Sequence, residues 1–181
     1  MTDTELILLV SRGDEQAFKQ LFMQYRGIVI HIIAPLVKNE HDREELVQDV
    51  FIKVFYKIKT FKGDSKLSTW IGKIAYHHCL NYFRRKRIAT EFLDNEMADG
   101  HYIDVPDEQG ITDADEIYSA IAHLPEIHQI MIRLFHIDQL NYQEIGTVLS
   151  ISSGTVKSRL FRARMALKDY LLNKKSKNEK Y

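Results

Sequence analysis

Cysteine is almost missing from this chain. Cys79 stands alone, so no intramolecular disulfide can form, and a reducing, cytoplasmic setting is the expectation. Long apolar runs are missing too. The longest, Ile28 to Val37, is interrupted by His31 and Pro35 and is too short to span a bilayer, so no membrane insertion is expected. The opening MTDTELILLV is acidic where a secretion signal needs a basic start. Net charge is zero, from 25 basic and 25 acidic residues, which by itself speaks against an ordinary basic nucleic-acid binder. No stretch alternates with period two for long enough to be a strand. Phosphate loops and nucleophile elbows are absent. His77, His78 and Cys79 are consecutive, so on a helix they point about 100° apart and cannot close on one ion. Neither a metal nor a cofactor is expected, and the chain does not read as an enzyme.

The patterns that are present are helical. At 181 residues with 45% hydrophobic content, the chain can bury one core or two small ones. The most informative stretch runs from Leu140 to Lys168. Ile145, Val148 and Leu149 share one face of a short helix, and Ser150 to Gly154 form a break in which Ser152 or Ser153 can cap the next helix. In that second helix Val156, Leu160, Ala163 and Leu167 make one apolar stripe, while Lys157, Ser158, Arg159, Arg162 and Arg164 take the other faces. No acid lies between Ser152 and Lys168, so these cations lack the i,i+4 partners of a salt-bridged solvent face. A short helix, a tight turn and a second helix that is apolar on one side and cationic on the other describe a helix-turn-helix DNA reader.

Taken in order, Thr2 and Glu5 are spaced as a capping box for a first short helix. Asp14 can cap a second, whose stripe is Phe18, Leu21, Phe22, Tyr25, Val29 and Ile32, with Pro35 near its end. His41 or Asp42 opens a third, burying Leu46, Val47, Val50, Phe51, Val54 and Ile58. Glu44, Glu45, Gln48, Asp49, Lys53 and Lys57 lie outside. After a loop from Phe61 to Ser65, Ser68 can cap a fourth helix, expected to end among the cations at 84 to 87; Trp70 reads as core. Asp113 begins the next helix, with Ile117, Ala120, Ile121 and Leu124 as its buried face, and the helix after Pro125 leads into the helix-turn-helix.

The fold class expected is all-α, with two helical domains: residues 1–90, then a flexible acidic linker at 91–112, then the helix-turn-helix domain at 113–173 and a basic tail at 174–181. Charge is segregated along this plan. Ten acids and no Lys or Arg lie between Glu91 and Tyr118, immediately after Arg84, Arg85, Lys86 and Arg87. Fully extended, the linker reaches roughly 73 Å, about two turns of B-DNA.

At this point the residues resemble a known family. Tyr142-x-Glu144-Ile145, then Gly154 to Leu160 and Arg162-Ala163-Arg164, is similar to region 4 of bacterial RNA polymerase sigma factors. Glu45 to Phe51, Phe61-Lys62-Gly63, Ser68 to Ile71, Ile74-Ala75 and Asn81-Tyr82-x-Arg84-Arg85 resemble region 2. The two lie in the family's order over about four-fifths of the chain. Without room for further domains, the chain is similar to the extracytoplasmic-function (ECF) group. It departs from the usual pattern at His77 and Asn81, where many members have Asn and Asp, and at Gln139 and Gly146, where Gly and Ala are common.

The resemblance implies three surfaces. Glu45, Gln48 and Asp49 would grip core RNA polymerase. Lys62, Asp64, Ser65 and Lys66 in the loop, with Tyr76, His77, Asn81, Arg84 and Arg85 on the fourth helix, would read and open the −10 element, where an unstacked base needs stacking and hydrogen bonding and the strand needs cations. Ser153, Thr155, Lys157, Ser158, Arg159, Phe161, Arg162 and Arg164 would read the −35 element in promoter DNA. An anti-sigma factor is a further implied partner. The competing reading is a free-standing helix-turn-helix regulator with a sensor domain in front, which should bind DNA without polymerase.

Overall fold

The computed structural model describes residues 1–93 and 113–178, with side chains described for 1–86 and 116–173. The described residues form helices and turns, with no strand among them. The first half is built from α1 (Asp3–Ser11), α2 (Glu15–Leu36), α3 (Glu40–Lys57), a 3-10 turn (Ile58–Thr60) and α4 (Leu67–Leu93). The second comprises α5 (Asp113–Ala122), α6 (Glu126–His136), α7 (Tyr142–Leu149) and α8 (Ser153–Asn178).

Local chemistry sets most helix starts. Thr2 Oγ1 accepts from the Glu5 amide at 3.3 Å and Glu5 returns the bond to the Thr2 amide at 2.8 Å, completing the expected capping box. Asp14 caps α2 through the Ala17 amide, and Pro35 sits one residue before that helix ends. The cap of α3 is a correction. Asn39 supplies it, through the Asp42 amide at 3.0 Å, so the helix opens earlier than His41 or Asp42. Likewise α4 begins at Leu67, before Ser68, with the Trp70 amide donating to the Lys66 carbonyl.

Two ends also differ. The fourth helix runs past the cations at 84 to 87 as far as Leu93, because Ile88 to Leu93 hold no helix breaker. The last helix continues through Asn178, into the basic tail expected to follow residue 173. The rest of the linker, 94–112, lies outside the described residues.

Packing joins the halves. Leu21, Val29 and Ile32 of α2, Val50 and Val54 of α3 and Ile71 and Ala75 of α4 are buried, in one continuous apolar cluster with Ile130 and Leu134 of α6 and Ile145 and Val148 of α7. The meeting point of α4 with α7 is Gly72, where an added Cβ would lie 3.2 Å from Val148 Cγ2. Trp70 is half-buried against Phe61, ring centres 5.5 Å apart. Ile117, expected to be buried with Ala120 and Ile121, is 48% exposed: α5 packs through 120 and 121, with Leu124 buried just beyond its end, and leaves 117 on the rim of an apolar groove with Leu171 and Leu172.

The lone thiol is sealed into the α4 side of this core, fully buried, and burial pushes it up to about 12. A thiol reagent at pH 8 should therefore leave Cys79 unmodified in the folded protein and label it fully in denaturant. Rapid labelling of the native state would contradict this packing.

Candidate nucleic-acid interface

The recognition helix is built as its pattern requires. Val156, Leu160 and Ala163 are fully buried and Leu167 half-buried, so the stripe faces α6 and α7. Ser152 is the cap: its Oγ accepts from the Thr155 amide at 3.1 Å, and Thr155 Oγ1 lies 2.8 Å away. Ser153 and Thr155 therefore begin the helix. On its outer side Lys157, Ser158, Phe161 and Arg162 are exposed together, at positions i, i+1, i+4 and i+5. Phe161 is 64% exposed, which costs hydrophobic free energy in water and suits a surface meant to be covered. Lys157 and Arg162 have no ion-pair partner among the described residues. Arg159 is half-buried. Arg164 stands apart from this set, because its guanidinium lies over the Phe135 ring, 4.7 Å from the centroid, and its Nε donates to His136 Nε2 at 3.2 Å.

The turn before this helix is unusually tight. Ser150 closes α7 in the left-handed region at φ 56, and Gln139 before α7 is left-handed at φ 55. Gln139 occupies a position where the resembling family commonly has Gly, which is the residue such a φ favours. Gly146 lies against the turn itself. A Cβ there would come within 2.7 Å of the Ile151 carbonyl oxygen, a backbone atom with little freedom to retreat.

The loop before α4 presents Lys62, Asp64 and Lys66 to solvent, turning at Gly63 with φ 78, while Ser65 is half-buried. Along α4, Arg84 and Arg85 are exposed, His77 is exposed, and Tyr76 and Asn81 are half-buried. Positions 77, 81, 84 and 85 fall on one helix face, so four of the residues expected at the −10 element share a strip of α4. Two of them already have partners in the second half: Lys66 Nζ pairs with Glu144 at 2.8 Å, and His77 Nε2 meets Ser150 Oγ at 3.1 Å.

On α3, Glu45, Gln48 and Asp49 are exposed in line with Ile52, 52% exposed, and Tyr56, 76% exposed. The last two continue the same helix face, at i+7 and i+11 from Glu45. Their spacing is plain in the sequence, but apolar residues on a helix read as core, so this part of the face is a finding of the structure. Asp49 is held from beneath. Buried His78 donates from Nε2 to Asp49 Oδ2 at 3.2 Å and accepts from the Lys53 ammonium at Nδ1. That arrangement needs a neutral imidazole. Burial first, then Lys53 and Arg85, lower its pKa, against the pull of Asp49.

With this geometry established, the relatives are informative. Sigma-70 region 2 matches residues 21–88, and Sigma-70, region 4 matches residues 114–167. The RNA polymerase sigma-H factor of Pseudomonas aeruginosa is 31% identical over 176 residues, covering 91% of this chain and 91% of its own. The ECF RNA polymerase sigma-E factor of Escherichia coli K12 is 30% identical over 178 residues, covering 92% and 93%. In fold, the chain resembles the sigma factor RpoE solved with the anti-sigma factor NepR from Bartonella quintana, at TM-score 0.68 and 24% identity over 85% of this chain and 96% of that one. It also resembles CnrH, solved with the cytosolic domain of CnrY, at TM-score 0.63 and 22% identity over 93% and 96%. Sigma-70 regions 2 and 4 following one another on a single chain define a transcription initiation factor. The chain belongs to the sigma-70 family of RNA polymerase sigma factors, in its ECF group.

The tight approach at Gly146 can be tested by filling it. Gly146→Ala gains about 1 kcal/mol of helix propensity but overpacks a backbone carbonyl, which typically costs about 1–3 kcal/mol. The net should be a loss near 1 kcal/mol by urea denaturation, with weaker −35 DNA binding. A pH titration tests the setting of His78, joined by His128 and His136, whose pKa values burial also lowers. A histidine depressed in the folded state contributes fully above its unfolded value near 6.5 and loses that contribution as pH falls towards the folded one. Glu5 and Glu144, held below the usual 4.5, act only at lower pH. The melting temperature should thus be flat from pH 7 to 8 and fall between 6.5 and 5, with a smaller fall in His78→Gln.

Proposed function

We propose that this sigma factor divides promoter reading between its two halves, in the cytoplasm and on the surface of core RNA polymerase. The observation that carries the proposal is the outer side of α8, where Lys157, Ser158, Phe161 and Arg162 are exposed together opposite a fully buried stripe. Ser158 can meet several bases, Phe161 can pack on a thymine methyl, and Arg162 can bond guanine O6 and N7. Ser153, Thr155 and Arg159 would meet flanking phosphates. Arg164 contributes there only by leaving Phe135.

At the −10 element, Lys62, Lys66, Arg84 and Arg85 would hold the strand, while Tyr76, His77 and Asn81, with Asp64 and Ser65 in the loop, would receive an unstacked base. Glu45, Gln48 and Asp49 would hold the polymerase, with Ile52 and Tyr56 adding apolar area beside them. His78 keeps the Asp49 carboxylate oriented. No catalytic chemistry is assigned to the chain. One related structure is a sigma factor bound to an anti-sigma factor, and a partner of that class is proposed here as well.

Transcription in vitro from genomic fragments, with core enzyme and this protein, tests the whole; no start sites above those of core alone would defeat it. The residue roles separate in a second assay. Arg162→Ala should cost the holoenzyme about 1–3 kcal/mol and relax preference at one −35 position. Asn81→Ala should bind normally yet leave promoter thymines unreactive to permanganate. A variant at Asn81 that opens the promoter as well as the parent would remove that residue from the reading site.

A further inference from the structure

An acid and a lysine four residues apart on a helix ordinarily pair with each other, best with the acid on the N-terminal side. On α3, Asp49 and Lys53 have that spacing and that order, yet no direct ion pair joins them among the described residues. The imidazole of His78, from α4, stands between them with only 5% of its side chain exposed. Its Nε2–H donates to Asp49 Oδ2 at 3.2 Å, and its Nδ1 accepts from the Lys53 ammonium. The Asp49 side chain is 51% exposed, so the carboxylate has one side on α4 and the other in solvent beside Glu45 and Gln48.

Both bonds require a neutral ring with its hydrogen on Nε2, and a proton from solvent can then add only at Nδ1. Lys53 would lose its acceptor and face a second donor, so its flexible stem turns away. Asp49 would change in the opposite sense. Its bond to a neutral ring becomes a charge-assisted bond to an imidazolium, which is shorter and stronger. The helices are held together at a second point, where the Tyr82 hydroxyl donates to Asp42 Oδ2 at 2.6 Å, so the response falls on side chains. The charges that act on the ring are Asp49 and Lys53 from α3 and Arg85 from α4, with Lys57 acting in turn on Lys53.

We propose that the Lys53–His78–Asp49 chain is a proton-gated polymerase grip: with the ring neutral the carboxylate is presented outward to core RNA polymerase, and with the ring protonated it is drawn into an ion pair with α4 and core binding weakens. The gate rests on the assignment of Asp49 to the polymerase face given above. Burial first, then Lys53, lower the pKa of the ring, so the grip is complete above about 6.5 and is lost as pH falls through the folded value.

Affinity for core polymerase across pH tests the gate. At pH 7.5, His78→Leu, which leaves Lys53 and Asp49 without the ring, should bind core about fivefold more weakly than the parent. His78→Gln, whose amide can donate to Asp49 and accept from Lys53 but takes no proton, should bind within about twofold of the parent. On lowering the pH to 5 the parent should lose about tenfold more affinity than His78→Gln, since groups of the polymerase that titrate act on both alike. Melting curves at each pH confine the comparison to folded protein. In the free protein, imidazole nitrogen NMR should find His78 as the Nε2–H tautomer at pH 7.5, titrating below about 6.5. An Nδ1–H tautomer, a titration above that value, or the same pH dependence in the parent and His78→Gln would overturn the gate. So would His78→Leu binding as tightly as the parent. Asp49→Asn separates the two levels. If it leaves affinity unchanged, the assignment of Asp49 to the polymerase face fails and the gate falls with it. If it weakens binding while the histidine variants do not, the assignment stands and the gate alone is wrong.

Discussion

How close the two halves can come is set at Gly72, because any side chain there would occupy the space that Val148 fills. The same missing side chain that lets α4 approach Ile28 and Ile32 within its own half lets α7 approach from the other. One continuous apolar cluster results, with polar bonds arranged at its edge: His31 with Asp138, Lys66 with Glu144, His77 with Ser150. Glu144 is the most burdened of these residues. One carboxylate oxygen completes the capping box of α7 through the Asn141 amide at 2.7 Å, and the other reaches Lys66. Its cap is internal to the second half, whereas the bond to Lys66 joins the two halves across their seam.

Neutral overall charge conceals two stretches of opposite charge along the sequence. The acids crowd into 91–118 and the cations onto α8 and the end of α4, so a formal charge of zero coexists with a recognition helix lacking nearby carboxylates. Counterion release from DNA depends on the cations at the interface and not on the total. An acidic stretch in the same chain raises the electrostatic cost of bringing the free protein to DNA.

Much of this architecture is legible in the sequence wherever the determinant is local. Thr2 with Glu5, Asp14, and the Val156/Leu160/Ala163 stripe each rest on residues within a few turns, and each behaves as its spacing requires. Asn39 is hard to single out as a cap because His41 and Asp42 offer equally plausible starts two residues later. Ile117 escapes burial because periodicity shows which residues share a face but not how far the neighbouring helix extends to cover them. The end of α4 lies beyond its sequence-based limit because a cluster of cations resembles a helix terminus, although nothing after it breaks a helix. The seam is illegible for a different reason: His31 and Asp138 are 107 positions apart, and no local pattern marks a pair that only tertiary packing brings together.

The strength of the seam comes from its parts. Exposed pairs such as Lys38 with Glu126 contribute about 0–1 kcal/mol, and Lys66, largely solvated, falls in the same range when discounted for screening. His31 with Asp138 is better shielded, yet it joins two groups that water also solvates well, so its net worth stays modest. The apolar share carries the rest, and interfaces between domains of one chain are ordinarily of this reversible kind.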